Sequence, residues 1–392
     1  MDNRKQEILT QLENGEITAA EAFTLLSQMD GKSKTVDQPY ENRSNRPPPV
    51  NNSPPPSHHR HSHEPTSWVE DLIGSISGAV EEVVDEVKEW EIGASINEFM
   101  SGSFGHHRNT LYFTSDPISQ GINKLVVIGK NAKVQVYGYD GNVIRLRCAY
   151  DARRPDAQVV FTQESGEYQL MYDEKLMRSM EIVCEVPHMI VNSLHAASKN
   201  AAVSLHNVQA GAVVLYTKND KIIGQDISCN EFVAQTKNDS IKVGGIHAQN
   251  MHLETTNAKI VAQNVRAHNA EFKTTNDGIK MEQIDIGNLK IFTTSGTLKL
   301  EKFLLGVPAW DGERTMEAHT TNANINFATP HEVALKLEAH ARDGKINCAK
   351  HDMHFTDSHR DYVKGMSHNY DYNTTKLNVR LSTTNGNVRI RE

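Results

Sequence analysis

The chain has 392 residues, a formal net charge of −8 and four cysteines. The acidic balance argues against a nucleic-acid-binding surface, and no apolar run approaches the ~20 residues that a membrane-spanning helix needs. The scattered cysteines contain no CxxC pair, which favours reduced thiols over a disulfide framework or a metal site. Residues 1–10 are polar and charged, unlike a secretory signal, so the sequence predicts a cytoplasmic protein.

Residues 1–31 predict a helical hairpin. Thr18 opens a capping box for its second helix, and Leu12, Phe23 and Leu26 are among its apolar side chains. About 30 residues bury too little apolar surface to fold alone. We therefore expect these side chains to bind a protein partner or a second copy of the hairpin.

Residues 32–66 predict a disordered linker. Two proline triplets impose extended polyproline conformation on a tract rich in Asn, Ser and Arg. The linker ends in a histidine cluster: His58, His59, His61 and His63. A solvated tract is favoured over a transition-metal site, because no second ligand set accompanies it.

Residues 67–100 predict an amphipathic helix. Its apolar stripe consists of Trp68, Leu72, Ile73, Ile76, Val80, Val83, Val84, Val87 and Trp90. The opposite face is acidic, with Lys88 as its one cation, so anionic lipid would repel it. We expect the helix to cap the end or flank of the domain that follows. A membrane-facing or self-associating helix is the alternative.

The centre of the chain, from Ser198 to Leu300, repeats every 19 residues. An Asn column consists of Asn200, Asn219, Asn238, Asn257 and Asn276, and an apolar column of Val203, Ile222, Ile241, Ile260, Ile279 and Leu298. Short alternating patterns surround the columns, and no helical spacing occurs. The sequence predicts a mainly β fold: a single-domain parallel β-helix, or β-solenoid, with its handedness left open. Each Asn is expected to bond turn backbone at a corner that tolerates left-handed conformations.

The solenoid is predicted to cover residues 122–392, with degenerate coils at both ends. Eight extra residues after Phe303 predict a loop that includes Trp310. A polar insertion at about 349–375 contains Tyr362 and Tyr370 and is expected to be a mobile loop. Because insertions on repeats cluster on binding faces, these aromatic side chains are candidate interaction residues.

The outward columns contain little that points to catalysis. Lys242, Lys280 and Lys299 form a basic stripe that would face an anionic ligand or simply aid solubility. The outward columns that begin at Lys221 and Ile223 contain no carboxylate pair, so we predict a non-enzymatic protein. Nothing in the pattern calls for a cofactor or a metal ion.

Several motifs together resemble a known family. Val186-Pro187 and the spaced T-x-N-x-x-I-x-V coils, ending in Thr384-Asn385-Gly386-Asn387-Val388, resemble the bacterial adhesin-like β-strand-repeat family, a domain of unknown function. Glu13 to Ala22 is similar to the SHOCT-type helical hairpin that precedes this domain in YvlB- and LiaX-like proteins of Gram-positive bacteria. The family supplies no catalytic residues.

This resemblance implies a binding or scaffold role in the bacterial cell-envelope stress response. The implied partners are an envelope component or an antimicrobial peptide, and the resemblance adds cell-surface association as an alternative to the cytoplasmic location predicted from the sequence. Two alternatives remain: a glycan-active or glycan-binding β-helix of the polysaccharide-lyase kind, and a peripheral membrane protein attached through residues 67–100.

Overall fold

The computed structural model describes residues 107–188, 191–303, 313–329 and 332–392, which form 22 strands and one 3-10 helix, Glu174–Leu176. The strands are β1 His107–Thr114, β2 Ile122–Gly129, β3 Ala132–Tyr139, β4 Arg145–Ala152, β5 Val159–Glu164, β6 Glu167–Tyr172, β7 Met177–Pro187, β8 Val191–Ser198, β9 Val203–Thr217, β10 Ile222–Gln235, β11 Ile241–Glu254, β12 Ile260–Lys273, β13 Ile279–Thr293, β14 Leu298–Phe303, β15 Arg314–Thr320, β16 Ile325–Ala328, β17 Ala334–Ala341, β18 Ile346–Cys348, β19 Met353–Ser358, β20 Tyr362–Ser367, β21 Lys376–Thr383 and β22 Val388–Arg391. The segments predicted at 1–31, 32–66 and 67–100, and Trp310, lie outside the described residues. Within the described residues, no helix has the length and apolarity needed to cross a membrane.

Strands β9 to β13 form the regular coils of the predicted parallel β-helix. Each strand pairs in parallel with the next, as in Ile222 with Ile241 and Ile241 with Ile260. The predicted apolar column points into the interior, and Val203, Ile222, Ile241 and Ile260 are all 0% exposed. The 19-residue period and the inward column are therefore confirmed.

Each regular coil has three flat faces. In β10 these are residues 222–225 (face 1), 227–229 (face 2) and 231–235 (face 3), and the ladder skips Asp226 and Asn230 between them. We use the same face names for the equivalent residues of every coil. Because side chains alternate along a strand, Ile223 of face 1, Ser228 of face 2 and Val233 of face 3 point outward.

One left-handed residue per coil makes the bend between faces 1 and 2. These residues are Asn207, Asp226, Gly245, Asn264, Gln283 and Lys302, with φ between 52 and 64°. The left-handed conformation predicted for the Asn200 column is wrong, because that column does not have positive φ. One residue of opposite hand turns the chain sharply without breaking the ladders on either side.

The predicted Asn column forms a continuous ladder of amides. The Nδ2 of each Asn donates to the Oδ1 of the Asn one coil earlier at 2.6–2.8 Å, starting from Asn131 and running through Asn200 to Asn276. The amides thus bond to one another. The predicted bonds from these amides to turn backbone are not formed. Beside them, the buried Thr hydroxyls donate to backbone carbonyls, as in Thr236 to Asp220 at 2.9 Å.

The order of the last coils in space differs from their order in the sequence. β15 and β16 pair with β21 and β22, which in turn pair with β17 and β18. The C-terminal coil therefore lies between two coils that precede it in the chain. At the other end β3 pairs with both β9 and β7, so the coil containing β2 and β3 is enclosed in the same way.

Antiparallel strands cover the outer coil at each end. β4 pairs antiparallel with β7 and β1, while β20 pairs antiparallel with β17 and β19. Residues 349–375 are therefore largely a β-hairpin, and the mobile loop expected there is wrong. Met353 and Val363 of the hairpin are buried. Its strands are short and rich in polar residues, so the apolar–polar alternation of a β-strand is hard to recognise in the sequence. Covering the last parallel strands protects their backbone groups from pairing with other chains.

Candidate functional site

The predicted lysine stripe lies on face 1. Lys242, Lys280 and Lys299 are exposed, and the ladder places Lys280 directly beside Lys299. Val261 lies between Lys242 and Lys280 and is half-buried. The three lysines therefore lie on one exposed face, but the row of positive charges is broken at Val261.

A carboxylate pair lies beside the stripe. Glu282 and Glu301 are ladder partners, and they lie two residues further along the strands than Lys280 and Lys299. The Nζ of Lys302 donates to Glu282 at 2.6 Å, and the Nη2 of Arg391 donates to Glu301 at 2.8 Å. The hydrogen bond from Lys302 lowers the pKa of Glu282, with further contributions from the positive charges of Lys302 and Lys280.

Tyr362 and Tyr370 of the C-terminal insertion are held in place by glutamate side chains. Tyr370 is buried, and its hydroxyl donates to a Glu313 carboxylate oxygen. Tyr362 is half-buried and donates to Glu338 at 3.1 Å. Burial raises the pKa of both hydroxyls, and their glutamate partners add to the rise. Both phenols are therefore neutral donors within the end cap.

The histidines of the insertion do not form a metal centre. His354 and His368 have ring centroids 6.0 Å apart, and His359 contacts Asp357 at 2.9 Å. Among the described residues, no group of three or more His, Cys, Asp or Glu side chains is arranged to hold a metal ion.

A groove of about 430 Å³ runs along the bend between faces 1 and 2, and we call it the corner groove. Its lining residues are His188, Asn207, Val208, Gln209, Asp226, Ile227, Ser228, Gly245, His247 and Asn264. Most of their polar groups are amides, imidazoles and a hydroxyl, and Asp226 is the one carboxylate among them. This site was not predicted from the sequence, and the signal that could have indicated it is the column at 207, 226, 245 and 264.

The corner groove follows from the left-handed column. Asn, Asp and Gly are the residues that most readily adopt a left-handed backbone conformation, so the bend presents short polar side chains in successive coils. Gly245, at φ 64°, leaves the floor open, since a Cβ there would lie 2.2 Å from Asp226 Oδ1. The adjacent Gly244 would place a Cβ 2.6 Å from Gln225 Oε1. Gly245 therefore keeps this part of the groove free of a side chain.

Local contacts orient the donors at the rim of the groove. Asn207 Nδ2 lies 3.3 Å from His188 Nε2, and Gln225 donates to Asp226 Oδ1 at 3.0 Å. Next to Asn207, the His206 ring stacks on Tyr137 with centroids 5.1 Å apart. Burial lowers the pKa of His206, which the Asp226 charge opposes in part. The stacked imidazole is therefore neutral near pH 7 and can both donate and accept.

A family model covers most of the solenoid, including the corner groove. The model described as Toastrack DUF4097 matches residues 156–391. The chain belongs to the Toastrack DUF4097 family. The match contains the Val186-Pro187 and Thr384–Val388 motifs from which a domain of unknown function was predicted, and β1 to β4 precede it. No curated protein matches the chain.

Solved structures similar to the Toastrack domain include three from Parabacteroides and Bacteroides species. A candidate adhesin from Parabacteroides distasonis is 8% identical, with a TM-score of 0.43, and the match covers 72% of this chain and 97% of that one. A candidate lipid-binding protein from the same organism is 9% identical, with a TM-score of 0.38 and coverage of 72% and 96%. A candidate adhesin from Bacteroides fragilis is 12% identical, with a TM-score of 0.34 and coverage of 72% and 97%.

Proposed function

We propose that this Toastrack protein is a non-enzymatic binding protein that holds an uncharged, hydroxyl-rich ligand, a glycan chain, in the corner groove. The observation that carries the proposal is the groove itself. Its volume of about 430 Å³ is of ligand-binding size, and it is lined by amide, imidazole and hydroxyl groups from successive coils. A repeated polymer suits a site whose donors recur about every 4.8 Å along the solenoid.

The charge distribution favours this ligand class over the alternatives. The lysines lie on face 1, outside the groove lining, so a neutral chain would meet amide, imidazole and hydroxyl groups, with Asp226 as the one carboxylate. A cationic antimicrobial peptide would find one carboxylate in the groove and would be repelled by Lys280 and Lys299. An envelope component is therefore the favoured partner.

Binding is favoured over cleavage by the state of the carboxylate pair. A glycosidase needs one carboxyl group with a raised pKa to protonate the leaving oxygen. Glu282 has a lowered pKa, and cations contact both Glu282 and Glu301. Glu282 is thus held ionised and Glu301 is paired with Arg391, which supports a salt-bridged surface over a general acid.

We place this binding role in the bacterial envelope stress response at the cell surface. The support is the similarity of Glu13 to Ala22 to the hairpins of YvlB- and LiaX-like proteins. In this scheme the solenoid holds the envelope glycan and the hairpin at 1–31 associates with a partner or with a second copy.

Filling the corner groove should abolish glycan binding. Ser228 lies at its centre on face 2 and is exposed, so Ser228→Tyr adds a ring to the groove without left-handed strain. We expect affinity for a neutral N-acetylglucosamine oligosaccharide to fall at least about tenfold, equal to about 1.4 kcal/mol. Isothermal titration calorimetry of the full chain measures this effect.

The matched control is Ser358→Tyr, at an exposed serine of the C-terminal hairpin, which should leave affinity unchanged. A polyanionic oligosaccharide serves as the comparison ligand. Binding of the polyanion that is lost in Lys280→Ala and Lys299→Ala but kept in Ser228→Tyr would contradict the proposal and assign the ligand to face 1.

The hairpin should drive self-association. Replacing Phe23 by Asp puts a charge among its apolar side chains, so we expect the sedimentation mass to fall to that of one chain. Glu21→Gln, a polar change in the same helix, is the control. If the unaltered protein already sediments as a single chain, self-association is wrong and the hairpin must serve a different partner.

A further inference from the structure

Face 3 has an outer surface that is buried. Its outward column begins with Val126, His195, Val214 and Val233, and these side chains are only 2–4% exposed. The neighbouring outward residues Ile128 and Ala197 are 2% and 0% exposed. None of these apolar residues belongs to the continuous interior core of the solenoid.

The direction of these side chains follows from the strand pleat. Phe232 and Ala234 point into the core, so Val233 between them points outward. The ladder places Val214 and His252 on either side of Val233. The buried residues therefore form one column along the outside of the solenoid.

Face 1 shows how much burial the sheet alone provides. Ile223 and Val261 occupy the equivalent outward column there, and both remain partly exposed. Aliphatic side chains at the same kind of position are thus not closed off by their own sheet. The near-complete burial of Val214 and Val233 therefore requires a further layer of protein over face 3.

The covered stretch has a definite length. Along the column, Glu271 is still buried, Lys290 and Glu317 are half-buried, and Arg380 is exposed. From Val126 to Glu271 the column takes five ladder steps, or about 24 Å at about 4.8 Å each. An α-helix covers that distance with about 16 residues at 1.5 Å per residue.

One segment of the chain fits this surface in length, chemistry and position. The predicted helix at 67–100 is long enough, and its stripe from Trp68 to Trp90 is apolar, as is the column at Val126, Val214 and Val233. Its acidic outer face would lie near the exposed corner lysines Lys218 and Lys237.

The residues that connect the predicted helix to β1 are long enough to place the helix on face 3. β1 begins at His107, and β1 and β2 belong to the same end of the solenoid, where the covered column starts. The residues between Trp90 and His107 span up to about 55 Å when extended, which is ample for the segment to return along face 3.

We propose that residues 67–100 form a helix that lies along the outside of face 3, with its apolar stripe on the column from Val126 to Val233. This assignment turns the general expectation of a capping helix into one docking surface. It leaves faces 1 and 2, and with them the corner groove, open to ligand. It also means that the apolar stripe is not available to a membrane.

Tryptophan fluorescence of the full chain tests the proposal. In a Trp310→Phe background, Trp68 and Trp90 report the segment alone, and we expect the short-wavelength emission of buried indoles. Val233→Glu should shift this emission to that of exposed indoles. Val261→Glu, the same change on face 1, should leave it unchanged.

Cross-linking keeps the test independent of the stability of Val233→Glu. Gln235 flanks Val233 on face 3 and is partly exposed, so Gln235→Cys with Val80→Cys should give an intramolecular bismaleimide product. The control pair, Lys242→Cys with Val80→Cys, should give at least about fivefold less. Both pairs are made in a Cys229→Ser/Cys348→Ser background, because those two thiols are partly exposed.

Three results would overturn the proposal. Equal cross-linking of Gln235→Cys and Lys242→Cys would show that the segment has no fixed place on face 3. A product linking two chains would make a second copy the occupant. Exposed-indole emission that shifts to shorter wavelength only with phosphatidylglycerol vesicles would make the stripe a membrane anchor.

Discussion

Replacing Phe232 by Ala should lower the free energy of unfolding by about 3–5 kcal/mol. Phe232 is among the largest fully buried side chains, and it points inward from face 3 between the ladder partners Val213 and Met251. Its removal leaves a cavity that the stacked strands cannot close, because each is held in register by two neighbours. Urea unfolding followed by circular dichroism measures the loss.

Tyr372→Ala is the control for this aromatic truncation. Tyr372 is 91% exposed, so its removal should change the free energy of unfolding by no more than about 0.5 kcal/mol. A loss below about 1 kcal/mol for Phe232→Ala would show that this position does not lie in a close-packed core.

Breaking the buried ion pair between β13 and β15 should cost about 3–5 kcal/mol. The Nη2 and Nε of Arg314 donate to Asp285 Oδ1 at 2.9 and 3.2 Å, and both residues are almost fully buried. Arg314→Met leaves the Asp285 carboxylate buried without its cation. The expected result is a large loss in the free energy of unfolding, measured by urea denaturation.

The double variant Asp285→Leu/Arg314→Met provides the control. Removing both charges leaves no unpaired group, so most of the lost stability should return. If the double variant is as unstable as Arg314→Met, the ion pair is not the source of the effect. The loss would then lie in the packing of the Arg314 side chain.

The repeat made the interior of this protein predictable. Columns such as Val203 to Ile279 are apolar because identical positions of successive coils share one environment, and the structure buries them. The Asn column was predictable for the same reason. Its bonding was not, because the sequence cannot show whether an amide bonds its own turn or the amide one coil away.

The candidate site was harder to predict because its column varies in residue type. Asn207, Asp226, Gly245 and Asn264 share a left-handed backbone and not a side chain, so no single-residue pattern marks the groove. The sequence also did not predict that, at each end, one coil lies between two others out of chain order. Pairing of β16 with β22 joins residues 63 apart in sequence, and a period of 19 gives no hint of it.

Hydrogen exchange on the full chain in the presence of a neutral N-acetylglucosamine oligosaccharide tests the central claim most directly. We expect slower exchange in the peptides that line the corner groove, 207–209, 226–228 and 245–247, and an oligosaccharide recovered with unchanged mass. Protection of residues 280–282 and 299–302 on face 1, or shortened oligosaccharides in the same sample, would contradict the account.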